Sequence, residues 1–302
     1  MTRIEGLVGI LKKIWKAIIK PFRKFGSWIA KPFKGIASFF MEEPEDSPMV
    51  ESLQLAFEEP SSFLEHIGAL RKHLVRAFLA FILCAGVAFV FLSPLLEFIS
   101  QPINGLDQLT AVDVTEPISV AMRVVLLAAF TAALPYIVFE IFLFIAPALS
   151  RRIRLISLIS IPLVVVFFFG GMAFSYYLIL PVGLPVLLNF LDISTQIRPS
   201  SYIKFATNLL FWIGALFEFP LLAYLLSVMG ILPPRVLIKN WRIAVVVSAV
   251  LAAVITPTID PLNMMLVMVP LILLYGLSIL LSFLANGARS GGDEVEEDEI
   301  KE

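Results

Sequence analysis

Two glutamates lie inside long apolar stretches of this sequence, where a charged side chain is costly. Glu218 occurs in "LFEFPLL", and the only other charge from residue 203 to residue 228 is Lys204 near its edge. A carboxylate that faces lipid near the centre of a spanning helix costs roughly 2.5–3.5 kcal/mol. We therefore expect Glu218 to face the protein interior or a water-filled cavity, with Pro220 interrupting the helical hydrogen bonds beside it. The structural alternative is a hydrogen bond from Glu218 to a neighbouring helix.

Glu140 is the second such carboxylate, in "YIVFEIFLFI", near the end of its apolar stretch. Because it lies close to the membrane interface, its burial costs less than that of Glu218. Two roles remain open for it: lining the same interior surface as Glu218, or forming a local ion pair with Arg151 or Arg152.

The composition indicates the environment in which these carboxylates lie. The chain has 302 residues, of which 59% are hydrophobic and 16% charged, and its mean hydropathy is +0.92. This is typical of an integral membrane protein. Apolar windows that predict spanning helices lie at 74–98, 118–145, 155–180, 203–228, 243–255 and 262–284. The sequence therefore predicts an all-α protein with six spans, of which the fifth is short and relies on a thinned bilayer or on interfacial anchoring by Trp241 and Arg242.

Positive charges predict the orientation of these spans, because cytoplasmic loops are enriched in lysine and arginine. The positive flanks fall on alternate loops and comprise Arg71, Lys72, Arg76, Arg151, Arg152, Arg154, Arg235, Lys239 and Arg242. The remaining loops are acidic or mixed. Both termini are therefore predicted to be cytoplasmic, and no cleaved signal peptide is expected.

The charge pattern also divides the chain. Residues 1–41 place lysines and apolar residues at helical spacing, which predicts a cationic amphipathic segment on the membrane surface. Residues 42–60 are acidic and proline-rich, which predicts a flexible linker. The six-helix domain is expected at 61–285 and an acidic disordered tail at 286–302.

No motif predicts catalysis. The only histidines, His66 and His73, lie before the first span, and the sequence contains no H-E-x-x-H, G-x-S-x-G or glycine-rich phosphate loop. We therefore predict that the protein is not an enzyme, has no cofactor or metal site, and binds no nucleic acid. A secondary transporter or channel remains an alternative because it would also use intramembrane carboxylates, although the spans show no convincing internal repeat.

Seven short motifs occur in a fixed order between Ser62 and Leu284. They are H-x-x-x-L-R from His66 to Arg71, T-E-P from Thr115 to Pro117, F-I-A-P-A-L from Phe144 to Leu149, Y-x-x-x-x-P from Tyr176 to Pro181, F-E-x-P from Phe217 to Pro220, M-G-I from Met229 to Ile231, and T-P-x-x-D from Thr256 to Asp260, with Asn263 following. Each motif is weak alone. Their order, spacing and six-span frame together resemble the TatC family, the core subunits of the twin-arginine protein translocase.

The resemblance implies a fold and a function. The fold is a cupped, glove-like bundle whose concave face carries Glu218 and draws water into the membrane. The function is to dock folded precursor proteins by their twin-arginine signal peptides and to pass them across the prokaryotic inner (cytoplasmic) membrane, driven by the proton-motive force. Small single-span partners of the TatA and TatB types, membrane lipids and further copies of the chain in a complex are the implied partners.

The resemblance also implies two sets of contact residues. In the family the fifth and sixth helices contact the small partners, which points to Thr256, Asp260, Asn263 and Met264 to Met268 here. Ordinary helix packing is the alternative for these residues, and Asp260 is also a candidate cap of the sixth helix. The implied signal-peptide residues are Glu65, His66, Arg71 and Phe144.

The sequence departs from the family at the two glutamates that read the twin arginines. Their places are taken by Ala69 and Ile153. A carboxylate is still the best partner for a guanidinium, and Glu65 lies one helical turn before Ala69 on the same face. Glu65 is therefore the candidate replacement. A weaker attraction from the acidic linker, or a relative that no longer reads twin arginines, are the alternatives.

Overall fold

The computed structural model describes residues 60–149, 151–188, 197–256 and 261–299. The predicted surface segment at 1–41 and nearly all of the predicted linker at 42–60 lie outside the described residues. The described residues fall into two compact units. The smaller unit takes in the described residues before 69 and those between 147 and 151, and the larger one takes in Ala69–Ala146 and the described residues from Arg152 onward.

The described elements are helical apart from one isolated bridge, between Leu109 and Ile197. The α-helices are α1 (Pro60–Val90), α2 (Leu92–Ser100), α3 (Glu116–Ile145), α4 (Arg151–Phe174), α5 (Leu180–Leu188), α6 (Pro199–Phe217), α7 (Phe219–Val228), α8 (Pro234–Lys239), α9 (Trp241–Ile255) and α10 (Pro261–Glu299). Short 3₁₀ turns at Gln101–Ile103, Leu106–Gln108 and Ala146–Ala148 and a π-helical segment at Ser175–Ile179 connect them. The prediction of an all-α membrane protein is confirmed at this level.

Five of the helical segments are long and apolar enough to cross a membrane. They are Gly68–Val90, Glu116–Ile145, Ile153–Pro185, Pro199–Val228 and Asn263–Asn286. The predicted fifth span corresponds to α9, which has 15 residues. At 1.5 Å per residue that helix is roughly 22 Å long, short of the ~30 Å hydrocarbon layer. Whether it crosses the membrane as a sixth span remains a prediction.

The first span differs from its predicted form at both ends. The stretch from Pro60 to the start of the predicted window is continuous with the span in α1. The predicted window at 74–98 instead breaks at Phe91, where α2 begins. Pro94 explains the break, because a proline lacks the N–H that a continuous helix requires and its ring clashes with the carbonyl four residues earlier.

The spans α4 and α6 approach closely at a pair of glycines. A Cβ built on Gly171 would lie 2.9 Å from the Cα of Gly214 and 2.9 Å from the carbonyl oxygen of Ile213. Gly214 in turn leaves room for the ring of Phe168, which a Cβ there would meet at 3.1 Å. Small residues of this kind allow helix backbones to pack in membranes, where no hydrophobic driving force acts between helices.

The helix α10 packs along α7 and α9, and buried hydroxyls join the first of these contacts. Ser227 and Ser282 share a hydrogen bond of 2.6 Å, and Ser227 Oγ also lies 2.6 Å from the carbonyl oxygen of Leu232. The Tyr275 hydroxyl donates to the carbonyl of Leu237 at 2.6 Å. The helix α10 continues to Glu299, across most of the region predicted to be a disordered tail. That domain boundary stays a prediction.

Candidate functional site

Glu140 lies in a cluster that joins the first two spans. Its side chain is 1% exposed. Its Oε2 lies 2.6 Å from Nδ1 of His73 and 3.9 Å from the Arg76 guanidinium, both on α1. Its Oε1 accepts a 2.5 Å hydrogen bond from the hydroxyl of Tyr136, one turn earlier on α3. The carboxylate is thus paired by a cation and a phenol, as a buried charge must be.

The described basic partners of Glu140 lie on α1 and not on α4, the helix of Arg151 and Arg152. An ion pair with Arg151 or Arg152 was expected as one alternative, and the side chains of those arginines lie outside the described residues. The described partners, His73 and Arg76, are three residues apart and therefore share one face of α1. The His73 ring also lies 6.2 Å, centroid to centroid, from that of Phe144, at an interplanar angle of 61°.

A buried arginine holds the C-terminal end of α3. Arg154 is 3% exposed, and its Nε donates to the carbonyl of Ala146 at 3.1 Å. Ala146 is the C-terminal cap of α3, so the guanidinium satisfies one of the carbonyls that a helix end leaves without a partner. Arg154 was counted in the sequence only as a marker of orientation, and the structure gives it this packing role.

Glu218 lies where the fourth span breaks. It is the residue between α6 and α7, and Pro220 is buried in the first turn of α7. The predicted interruption of the helix at Pro220 is therefore confirmed. The Glu218 carboxyl lies beside the backbone of Phe168 on α4, and its Oε1 is buried without a hydrogen-bond partner among the described residues. The residue as a whole is half-buried.

Glu116 forms a third carboxylate cluster, at the start of α3. The side chain is 5% exposed, and its Oε1 accepts bonds from Arg198 Nε at 3.0 Å and Ser200 Oγ at 2.7 Å. Its Oε2 accepts a bond from the backbone N–H of Val112 at 2.9 Å. This cluster ties the loop before α3 to the start of α6, and the nearby bridge between Leu109 and Ile197 joins the same two segments.

Most of this chain matches one family of known proteins. The family model described as "Sec-independent protein translocase protein (TatC)" matches residues 65–270. A TatC from Koribacter versatilis (strain Ellin345) is 34% identical over 233 residues, which cover 74% of this chain and 86% of that protein. TatCy from Bacillus subtilis (strain 168) is 32% identical over 226 residues, covering 73% of this chain and 88% of that protein.

A solved structure gives the same result. The crystal structure of a twin-arginine translocase receptor, TatC, matches with a TM-score of 0.65 and 29% identity, over 73% of this chain and 99% of that one. The chain belongs to the TatC family. The resemblance drawn from the motifs is therefore confirmed, and the matched region contains the carboxylate clusters of Glu116, Glu140 and Glu218.

The signal-peptide residues expected from the TatC resemblance are only partly described. Glu65 and His66 lie within α1, and their side chains lie outside the described residues. Arg71 is exposed on α1 and Phe144 is half-buried near the end of α3. The places of the two TatC glutamates, Ala69 and Ile153, are both half-buried.

Two of the expected partner-contact residues of TatC come together in the structure. Thr256 and Asn263 are 6% and 5% exposed and line the same small cavity with Gly183. The Thr256 hydroxyl donates to the carbonyl of Ala252 at 2.8 Å. Asp260 lies outside the described residues. Met264 is half-buried beside them, and Met265 is 59% exposed.

Sequence reasoning missed His73, Arg76 and Tyr136 as partners of Glu140. A signal was present in the spacing. Tyr136 lies four residues before Glu140, so both share a face of α3, and the two basic residues share a face of α1. The pairing of one face with the other is a long-range contact that no local pattern in a single sequence indicates.

Proposed function

We propose that this chain, as the core subunit of the twin-arginine (Tat) protein translocase, docks the signal peptides of folded precursor proteins and mediates their export across the prokaryotic inner membrane. Membership of the TatC family carries the translocase role, since the match extends from residue 65 to residue 270. The proton-motive force supplies the energy in this proposal. The cytoplasmic ends of the first two spans form the docking surface.

The docking surface requires a carboxylate that a twin-arginine pair can reach. Glu140 is a poor candidate, because it is 1% exposed and already shared between His73 and Tyr136. Glu65 lies four residues before Ala69 on the continuous helix α1, so its backbone lies on the same face one turn earlier. Glu65 therefore takes over twin-arginine recognition in this proposal, and His66, Arg71 and Phe144 are the further contact residues that it assigns.

The test is binding of a twin-arginine signal peptide to the full-length protein with Glu65→Gln. Loss of one charge-assisted contact is expected to weaken binding about tenfold or more. Glu59→Gln, in the predicted acidic linker, is the matched control and should leave binding unchanged. A twin-lysine peptide should bind the wild type weakly, because lysine lacks the planar fork of donors. If Glu65→Gln binds like the wild type while Glu59→Gln does not, the linker is the acidic element.

The finer architecture is also part of this proposal. It has α9 as a short sixth span, both termini in the cytoplasm, and a glove-like bundle with Glu218, Pro220 and Glu140 toward its concave side. The buried, unpaired Oε1 of Glu218 supports a water-admitting role, since an orphaned carboxylate oxygen is satisfied most cheaply by water.

Partner contacts are assigned to the region where α9 and α10 meet. The buried polar pair of Thr256 and Asn263, with Asp260 and Met264 close in sequence, suits a single-span helix of the TatA or TatB type. The chain also acts as a homo-oligomer within the complex. Export of a twin-arginine reporter in a strain that lacks its own TatC tests the whole proposal. Substrate-dependent ion flux by the purified chain alone, without export, would favour the transporter alternative instead.

A further inference from the structure

Arg123 is a cation inside a membrane span. It lies seven residues after Glu116 on α3, which places it roughly 10 Å from the start of the span. Its side chain is exposed, as are those of Met122 and Leu126 beside it. It forms no hydrogen bond or ion pair with any residue that the structure describes. An arginine at this depth on a lipid-facing surface requires an anionic partner or a path to the interface.

An apolar cavity of about 430 Å³ is lined by Val124, which follows this arginine in the chain. Its walls come from α2, α3, α4, the π-helical segment and α6, and include Phe98, Leu127, Phe169 and Tyr177. Such a volume falls in the range of ligand-binding clefts in proteins, about 300–1,000 Å³. The cavity therefore has the size of a small ligand site.

Of the three hydroxyl groups in the cavity wall, those of Thr131 and Tyr176 are already used, and the third belongs to the exposed Tyr177. The hydroxyl of Thr131 donates to the carbonyl of Leu127 at 2.8 Å, and that of Tyr176 donates to the carbonyl of Phe98 at 2.6 Å. A polar ligand would find no free hydrogen-bonding group at these two residues, and water would be unfavourable for the same reason. The buried part of the wall therefore suits a hydrocarbon.

Arg123 lies at the edge of the face of α3 that lines the cavity. The cavity-lining residues of this helix include Val124, Leu127, Ala128 and Thr131. Arg123 is four residues before Leu127, so the two side chains lie one above the other, one turn apart. The arginine is therefore at the end of the cavity that lies nearer Glu116 and the membrane interface.

We propose that this face is a binding site for one anionic phospholipid, with its phosphate on Arg123 and an acyl chain in the cavity. Under the proposed topology the lipid belongs to the outer leaflet. A guanidinium is well suited to phosphate oxygens because its donors form a planar fork. The long side chain reaches toward the interface, where the phosphate of a lipid lies.

The size of the cavity argues against a protein helix as its occupant. A helix is about 10 Å across with a pitch of 5.4 Å, so a single turn fills roughly 400 Å³. The cavity therefore holds about one turn of a spanning helix, which needs more than five turns to cross the membrane. A single acyl chain, by contrast, is thin and flexible enough to enter a cleft between helices.

The experiment uses the full-length protein in nanodiscs that contain equal amounts of phosphatidylglycerol and phosphatidylethanolamine. The protein is released into detergent, and the lipids that remain bound are counted by native mass spectrometry. The variants are Arg123→Gln, Arg123→Lys and Ala128→Phe, which fills the cavity. The controls are Lys204→Gln, an exposed cation on α6, and Ala253→Phe, an exposed position on α9 outside this cavity.

The wild type should retain one phosphatidylglycerol in preference to phosphatidylethanolamine, and excess inorganic phosphate should not displace it. Arg123→Gln should lower this retention about fivefold, which corresponds to ~1 kcal/mol for one basic residue at an anionic surface. Arg123→Lys should retain most of the phosphatidylglycerol. This result would also show that a substitution at position 123 does not prevent folding. Ala128→Phe should lower retention of both lipids, while both controls behave like the wild type.

Three results would overturn the proposal. Equal retention by the wild type and Arg123→Gln would remove the arginine from the site. Equal loss in Lys204→Gln would mean that the attraction is diffuse surface charge. Unchanged retention in Ala128→Phe would mean that no acyl chain enters the cavity. None of these results bears on signal-peptide docking, which is measured separately through Glu65.

Discussion

The contact between Gly171 and Gly214 predicts that two neighbouring glycines respond in opposite ways to the same substitution. A Cβ on Gly171 would lie 2.9 Å from two backbone atoms of α6 and 2.8 Å from the Phe217 ring. Backbone atoms in a helix cannot move aside alone, so Gly171→Ala must push α4 and α6 apart. Gly170 precedes it on the same helix, and a Cβ there would meet nothing within 4 Å.

The size of the effect follows from these distances. Forcing an extra methyl group into a packed contact costs about 1–3 kcal/mol. Replacing an exposed glycine in a helix by alanine gains about 0.5–1 kcal/mol. Both variants make this gain, so it cancels in their difference, and they should differ by roughly 1–3 kcal/mol in their free energy of unfolding. At about 2–4 °C per kcal/mol, their melting temperatures should differ by at least ~2 °C.

Thermal unfolding of the purified variants in one detergent measures this difference, followed by far-ultraviolet circular dichroism. Gly171→Ala should melt below the wild type and Gly170→Ala at or above it. Export of a twin-arginine reporter should fall only in Gly171→Ala, because Phe217 adjoins Glu218 and both move with α6. If Gly171→Ala melts with or above Gly170→Ala, the close approach of these helices is not a feature of the folded protein.

Two further predictions concern the intramembrane carboxylates. Glu140→Ala should destabilise the protein by about 3–5 kcal/mol in chemical unfolding, because it leaves the partly buried basic residues of α1 without their counter-ion. The control is Glu97→Ala at an exposed position, which should change the free energy of unfolding by less than ~0.5 kcal/mol. Equal effects of the two substitutions would contradict the Glu140 cluster. Glu218→Ala should lower both export and the labelling of Phe219→Cys by a membrane-impermeant maleimide, measured with Cys84→Ala as background. Unchanged labelling and export would rule out a water-admitting role for Glu218.

The spans were predictable because hydropathy is a local property. Windows of apolar residues longer than ~20 had to become helices in a bilayer, where each backbone polar group needs a partner within its own segment. The break at Glu218 has an equally local cause in Pro220, which removes a helical hydrogen bond. The signal is not decisive alone, because α3, α4, α5 and α10 each contain a proline and continue through it. Pro94 carries the same signal, and the continuous apolar window from 74 to 98 obscured it.

The contacts of the carboxylates could not be predicted in this way. Glu116 entered the sequence analysis only within the T-E-P motif, yet it is buried and bonded to Arg198, which is 82 residues away in the chain. Glu140 is paired with His73 over 67 residues. Such pairs depend on which helix faces which, and a single sequence contains no direct record of that choice. Charge patterns placed these residues near a membrane interface and left their partners open.

Glu116, Glu140 and Glu218 differ in whether their buried oxygens have hydrogen-bond partners. This difference identifies the carboxylate most suited to a functional role. Glu116 and Glu140 are almost fully buried, and both oxygens of each are bonded. Their contacts account for their presence as structural links between segments. Glu218 has a buried oxygen without a partner among the described residues, at a helix break that a proline maintains. Buried polar atoms are nearly always paired in proteins, so the exception needs water, a proton or a substrate group to complete it. Of the three, Glu218 alone retains the capacity to bind something that comes and goes.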